Sequence, residues 1–204
     1  MAAMNEYQEL YEMMESHLLK DEKPSCFINT LSGEQEFKKY PFSLLLELKS
    51  TEQSPVYHPE GSVWNHTMLV VDQAAEQKNH SKDEKAFMWA ALLHDIGKPA
   101  TTRKRKGKIT SYNHDKVGAK LAREFLSLFS EDEPFIGRVC SLILFHMQIL
   151  YVVKGLPYAD IPGMKAFGGL DEIALLGLCD RLGRLGYDRQ EEEKNIQLFV
   201  KSVK

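Results

Sequence analysis

The sequence predicts an all-α fold, a helical bundle with one small β-hairpin. Three observations predict it. Apolar residues recur at helical spacing along most of the chain, and Pro and Gly fall between those runs rather than inside them. Only one stretch, "TTRKRKGKITSYN", sets β-branched residues on both sides of a Lys-Gly turn. With 204 residues, 43% of them hydrophobic, the chain can bury one good-sized core. The expected organisation is a single domain over 1–204, with a core at about 55–186, an N-terminal helical extension over 1–50 and a C-terminal helix over 187–204.

The elements follow in order. Leu10, Met13, Met14 and Leu18 predict an amphipathic helix over 3–20. The polar stretch 21–40, with "KDEKPS" and "LSGEQEF", reads as a loop. "PFSLLLELKS" predicts a short helix with Pro41 in its first turn. "TEQSPVYHPEGSVWNH" is too rich in Pro, Gly and Ser to be regular. Helices are predicted over 64–78 and over 83–95, the second opened by Asp83 as N-cap and closed near Gly97 and Pro99. Three more are expected at about 113–129, 133–151 and 169–184, and a last one in "DRQEEEKNIQLFVKSV", where Ile196, Phe199 and Val200 share a face. "YVVKGLPYADIPGMKAFGG" (151–169) reads as a loop capping a site. Its Tyr151, Tyr158 and Phe167 serve either to stack a base or to anchor the loop.

A formal charge of −3 argues against coating nucleic acid by bulk electrostatics. Cys26, Cys140 and Cys179 form no CxxC pair, which reads as reduced thiols in a cytoplasmic protein. The acidic N-terminus does not read as a signal peptide, and no apolar run reads as a membrane span, so no membrane partner is expected. The run "RKRKGK" (103–108) is either a solvated hairpin tip or a contact to an RNA end.

The chemistry lies in polar groups set into apolar helix faces. His66 falls in the first core helix, and His94 with Asp95 ends the second. His114 opens the third, His146 lies late in the fourth ("ILFHMQ"), and Asp180 interrupts "IALLGLCDRLG" in the fifth. An unpaired ionised carboxylate in such a run is costly to bury, and one cation would satisfy these groups together. Neighbours on a regular helix point about 100° apart. Convergence of His94 and Asp95 therefore calls for a turn, which Gly97 would ease by tolerating positive φ and Pro99 would stop from resuming as helix.

The spacing His66, then His94-Asp95 within "LLHDIGK", then Asp180, resembles the H…HD…D pattern of the HD-domain metal-dependent phosphohydrolases. "HPEGSVWNHTMLVVDQAA" (58–75), "LLHDIGKPATT" (92–102), His114-x-x-x-Gly118 and "CDRLGR" (179–184) look like the HD domain of bacterial CCA-adding tRNA nucleotidyltransferases, over roughly residues 55–186. Those enzymes carry a nucleotidyltransferase head with paired aspartates. No Asp-x-Asp occurs here, so the expectation is a stand-alone HD domain without that head.

What the resemblance implies is a divalent-metal-dependent phosphohydrolase, using a metal-activated water on phosphate esters of nucleotides, on 2′,3′-cyclic phosphodiesters or on RNA termini. The alternative is a nucleotide- or RNA-end-binding regulatory module with little turnover. The implied ligands are His66, His94, Asp95 and Asp180. Two nitrogen and two carboxylate donors suit Mn, Fe, Ni, Co or Zn, or Mg with more water, and do not choose between them. His114 and His146 either hold a second metal, contact the substrate phosphate or leaving group, or are structural. Lys98 either neutralises charge on the phosphoryl oxygens or complements a helix dipole. Arg181 and Arg184 either bind phosphate, Arg184 matching the pattern in particular, or form salt bridges. His58 and Glu60 belong to a loop that closes over the site, and Asp72 is expected to orient a ligand histidine.

Overall fold

A computed structural model describes residues 2–204. The elements are α1 (Ala2–Lys20), α2 (Pro24–Leu31), a 3-10 turn (Glu36–Lys38), α3 (Ser43–Ser50), α4 (Val63–Gln77), a second 3-10 turn (Lys78–His80), α5 (Glu84–Leu93) and α6 (Lys98–Thr101). The hairpin strands β1 (Thr102–Arg105) and β2 (Lys108–Ser111) follow, then α7 (His114–Leu126), α8 (Glu133–Phe145), α9 (Gln148–Val153), α10 (Ile161–Phe167), α11 (Leu170–Leu182) and α12 (Arg189–Val203). The fold is an all-α bundle with one antiparallel hairpin, paired from Thr102↔Ser111 to Arg105↔Lys108.

Helix α5 is the axis of the core. Every residue from Ala86 to Leu93 is buried, as expected of a helix apolar on all sides. It packs between α4 and α8, with α1 and α11 against its remaining flanks, while α7 pairs with α8 and α12 covers α11. The N-terminal helix closes one side. Leu10, Met14 and Leu18 are buried, and Tyr11 stacks between Trp89 and Phe129 at 4.7 and 4.9 Å between ring centroids. Met13, predicted on that same stripe, faces outward.

The helix starts follow their caps. Ser62 Oγ accepts the Asn65 N–H at 3.3 Å, and the Asp83 and Asp132 carboxylates accept Ala86 N–H and Phe135 N–H at 3.0 Å each. Such caps are worth about 1 kcal/mol apiece.

Several boundaries differ from expectation. The polar stretch 21–40 contains α2 and a 3-10 turn. Pro41 precedes α3 rather than opening it. The predicted helix 133–151 breaks at His146 and Met147 into α8 and α9. The predicted loop 151–169 contains α10, whose Phe167 packs against Phe145 at 6.1 Å between centroids.

One reading of the sequence is corrected outright. Glu133–Val153 is long and apolar enough, at mean hydropathy 1.7 over its best window, to pass as a membrane span. In the fold it is a broken helix pair. Ile136, Val139, Leu142, Ile143 and Phe145 face the core and the polar His146 is buried beside them, which is the chemistry of a bundle interior.

Candidate metal centre

Six helical segments deliver polar side chains to one buried place. His66 comes from the first turns of α4, and His94 and Asp95 follow α5. Lys98 opens α6, His114 opens α7, His146 follows α8, and Asp180 and Arg184 come from the end of α11. His66, His94, Asp95, His114, His146 and Asp180 are all buried. Asp95 is the focus. Its Oδ2 lies 3.2 Å from His94 Nε2, 4.0 Å from His66 Nε2 and 2.6 Å from Lys98 Nζ. Its Oδ1 faces His114 Nε2 at 3.4 Å and His146 Nε2 at 3.9 Å. Asp180 joins through His66, whose Nε2 is 2.9 Å from Asp180 Oδ1.

The turn after α5 differs from the one expected. Gly97 has φ −81°, so positive φ is not what it supplies. The chain tightens instead, with Ile96 N–H on Leu93 O and Lys98 N–H on Asp95 O. Glycine is required at 97 for space: a Cβ there would meet His114 O at 2.2 Å and Gly118 N at 2.5 Å. Pro99 lies in the first turn of α6 and so begins a short helix rather than preventing one. The same contact explains the pairing of His114 with Gly118 four residues later, since both touch Gly97.

Three histidines are fixed in one tautomer by backbone carbonyls. Nδ1 of His94 donates to Ala91 O at 2.8 Å, that of His114 to Ser111 O at 2.7 Å, and that of His146 to Ile143 O at 2.6 Å. With Nδ1 carrying the proton, a neutral ring presents a bare lone pair at Nε2. His66 is oriented from the other side by Glu60, whose Oε1 lies 3.0 Å from Nδ1, off the ideal hydrogen-bond line.

Electrostatics follow from burial and pairing. Burial pushes the Asp95 carboxyl upward, but His94, Lys98 and His114 outweigh it and hold the group well below the usual carboxylate range. Asp180 is likewise raised by burial and brought well below that range by Arg184 and His66. Burial lowers His146 to about 3, with His114 and His94 adding to the effect. Burial also lowers His114 against the pull of Asp95. His66 is raised, because the carboxylates of Asp180 and Glu60 beside its two ring nitrogens overcome the cost of burial.

These residues fit a divalent cation. Among the described residues His94 Nε2 is buried without a hydrogen-bond partner and faces Asp95 Oδ2 at 3.2 Å. Lys98 Nζ is ion-paired to that oxygen, but two acceptors this close still repel one another, and a cation bound to both relieves it. Three groups of donors lie close enough together to hold an ion: His58 with Glu60 and His66, His66 with His94 and Asp95, and Asp95 with His114 and His146; the last two share Asp95.

A proton held by His66 must leave when the lone pair is used. Because its pKa is raised above the ordinary 6.5, the apparent metal affinity should climb about tenfold per pH unit below that raised value and level off above it. Calorimetric titration with Mn²⁺ from about pH 6 to about pH 8 checks this. An affinity flat across the range contradicts the assignment of His66.

The remaining predicted residues divide. Arg184 reaches the centre, its Nη2 donating to Asp180 at 2.9 and 3.2 Å while the buried Nε has no hydrogen-bond partner among the described residues. His58 stands over His66 at 4.8 Å between ring centroids, with its Nδ1 2.8 Å from Glu60 Oε1. Burial lowers its pKa to about 4. Arg181 does not reach the cluster. Its guanidinium donates to Glu192 at 2.7 Å and ties α11 to α12. Asp72 does not orient a ligand histidine either, because it accepts from the Ser25 N–H and hydroxyl and so anchors α2.

Two residues carry more than the sequence suggested. Glu60 was legible only as part of the Pro- and Gly-flanked "HPEG" turn. Its Oε1 serves both His58 and His66, and its Oε2 accepts Leu185 N–H at 3.3 Å. Burial raises its carboxyl, yet the hydrogen bond from His66, a backbone bond and that from His58 bring it to about 2. Replacing a carboxylate that orients a ligand histidine typically costs 10- to 100-fold in metal affinity, roughly the loss expected for Glu60→Gln by calorimetry. Unchanged affinity would show that Glu60 only closes the loop. Gln53 had no signal in the sequence. It accepts the Lys98 ammonium at 2.6 Å on Oε1 and lines a cavity of about 420 Å³ beside Thr51, Ser62, Lys104 and Ile109.

Histidine and aspartate side chains brought from separate helices to one buried centre define the class: an α-helical bundle built around a cluster of side chains that could hold a metal ion. Residues 63–151 match the HD domain family, so the chain carries an HD domain, a member of a superfamily of metal-dependent phosphohydrolases. The matched segment includes His66, His94, Asp95, Lys98, His114 and His146, while Asp180 and Arg184 lie beyond it. Curated relatives agree. The chain is 31% identical over 183 residues to the multifunctional CCA protein of Pasteurella multocida, covering 84% of this chain and 42% of that protein. It is 27% identical over 159 residues to the same-named protein of Actinobacillus pleuropneumoniae, covering 74% and 37%. A shorter match, 36% over 61 residues, joins it to the A-adding tRNA nucleotidyltransferase of Deinococcus radiodurans, covering 29% and 14%. The chain thus spans about two fifths of the length of the CCA relatives it matches along most of its length.

Proposed function

We propose that the chain is a divalent-metal-dependent phosphohydrolase acting on phosphate esters of nucleotides, on 2′,3′-cyclic phosphodiesters or on RNA termini. The observation that carries this reading is the convergence of His66, His94 and Asp95 in a buried cluster where His94 Nε2, 3.2 Å from Asp95 Oδ2, has no hydrogen-bond partner among the described residues. His66, His94, Asp95 and Asp180 would hold the ion, and their mixed nitrogen and oxygen donors accept Mn, Fe, Co, Ni, Zn or Mg. A bound ion of this kind lowers the pKa of a coordinated water and polarises a phosphoryl oxygen.

The protein's own groups do the rest. Lys98, 2.6 Å from Asp95 Oδ2, sets an ammonium at the edge of the cluster where charge builds on the phosphoryl oxygens. Arg184, held by Asp180, offers its unpaired Nε as a donor to a phosphate. His114 and His146 face each other with Nε2 atoms 3.2 Å apart and both Nδ1 protons committed to carbonyls. Burial disfavours a proton between them, so this pair with Asp95 Oδ1 suits a second cation. The unpaired thiols Cys26, Cys140 and Cys179 accord with a cytoplasmic protein.

The test is a panel of esters given to metal-loaded protein: bis-para-nitrophenyl phosphate, nucleoside 2′,3′-cyclic phosphates, and 2′- and 3′-monophosphates. Hydrolysis abolished by EDTA and restored by a divalent ion supports the reading. Tight nucleotide binding with no hydrolysis under any divalent ion would make the domain a sensor of nucleotides or RNA ends instead.

A further inference from the structure

The hairpin carries charge that the fold does not use. Arg103, Arg105, Lys106 and Lys108 are exposed and, among the described residues, have no acidic partner. Pairing places Arg105 directly opposite Lys108 and Arg103 opposite Thr110, so Arg103, Arg105 and Lys108 share one face. The other face holds Lys104, paired with Glu52 at 2.9 Å, and Ile109, and both line the cavity beside Gln53. Like charges directly opposite one another on a sheet are destabilising. The turn adds a second cost, since Lys106 takes φ 48° where Asn or Asp is the easier residue. Neither cost is recovered inside the molecule.

The hairpin is also built on the metal centre. Strand β1 leaves α6, whose Lys98 sits on Asp95, and the Ser111 carbonyl at the end of β2 fixes the His114 ring. Four residues of strand carry the tip about 13 Å from that base, a reach that a chain of several nucleotides spans and a single nucleotide does not. Tyr112, 74% exposed, stands between β2 and His114, where its ring can stack a base.

We infer that the Arg103–Arg105–Lys108 face binds the backbone phosphates of a single-stranded nucleic acid whose terminal phosphate reaches the metal centre. The substrate class is then a polynucleotide end rather than a free nucleotide. This deepens the phosphohydrolase reading and rests on it for the chemistry at the end of the strand. A membrane-binding surface would set apolar side chains among the cations, whereas the hairpin's Ile109 is turned into the cavity. Contacts to phosphate read no sequence, so RNA and DNA strands should bind alike.

The experiment measures binding of fluorescein-labelled, 3′-phosphorylated RNA and DNA oligonucleotides by anisotropy across a salt series. It compares the wild type with an Arg103→Ala/Arg105→Ala/Lys108→Ala variant. Removing three phosphate contacts should weaken binding at least about tenfold at low salt and flatten the log K against log salt slope by about 2. Hydrolysis of bis-para-nitrophenyl phosphate should stay the same, because none of the three side chains lies in the cluster. Equal oligonucleotide affinity and slope in the two proteins overturns the proposal, as does wild-type binding to anionic phosphatidylglycerol vesicles as tight as to the strands. A wild type that hydrolyses no ester yet shows the expected slope change supports the nucleic-acid surface and contradicts only the catalytic reading of the centre.

Discussion

Asp95→Asn should reduce ester hydrolysis to background and leave the protein unable to retain a divalent ion. The substitution keeps the shape of the side chain and removes its charge. Asp95 alone faces both candidate cation positions, Oδ2 toward His66 and His94 and Oδ1 toward His114 and His146. An amide nitrogen there would turn a donor toward the Nε2 lone pairs or toward the Lys98 ammonium. Loss of a direct ligand should exceed the roughly 10- to 100-fold fall in affinity that outer substitutions cause. Calorimetry with Mn²⁺ measures the affinity, and circular dichroism confirms that the helices persist. A folded Asp95→Asn protein that binds metal as tightly as the wild type would mean that the cluster is not the ion's site.

Gly97→Ala should be the most damaging single-methyl change in the chain. The added Cβ meets backbone on both sides, His114 O at 2.2 Å and Gly118 N at 2.5 Å, and backbone has no rotamer by which to withdraw. Overpacking of this sort costs about 1–3 kcal/mol and occasionally more. Here the top of that range is expected, together with loss of metal affinity, because the start of α7 must move and carry His114 with it. Gly137→Ala on α8 is the control. Its new methyl finds nothing nearer than 4.0 Å, so relief from helix-interior glycine should stabilise the protein by about 0.5–1 kcal/mol. Urea unfolding of both variants decides the matter. Equal midpoints for Gly97→Ala and wild type would show that α6 and α7 are not in the close register described.

The parts of this fold that the sequence made legible are those with long amphipathic or wholly apolar patterns and local caps. Helices α4 and α5 fall within two residues of expectation because Ser62 and Asp83 mark their starts. What was not legible depends on contacts distant in sequence. Helix α2 is short, and part of its anchoring comes from Asp72, 47 residues away, so no periodicity announces it. The break between α8 and α9 is caused by the site itself: His146 Nδ1 takes the Ile143 carbonyl, an acceptor the helical ladder would otherwise use.

The candidate site was legible to the same degree. His66, His94, Asp95, His114, His146 and Asp180 stand out because polar groups interrupt apolar runs, and the structure brings all six together. Arg181 shares that local context with Arg184, yet one points to Glu192 and the other to Asp180, since Arg181 still lies in α11 whereas Arg184 follows the helix end at Leu182 and Gly183. Neither the role of Glu60 nor that of Gln53 follows from local pattern, because each acts by where a loop comes to rest.

The central claim is that these side chains hold a divalent cation, and the most direct measurement is Mn²⁺ binding to the metal-stripped protein, read by electron paramagnetic resonance of the free ion. The account predicts that the six-line signal of free Mn²⁺ is suppressed stoichiometrically, by at least one ion per chain, and returns when protein already loaded with Zn²⁺, free of chelator, is used instead. A free-ion signal undiminished by the protein at near-neutral pH would contradict it.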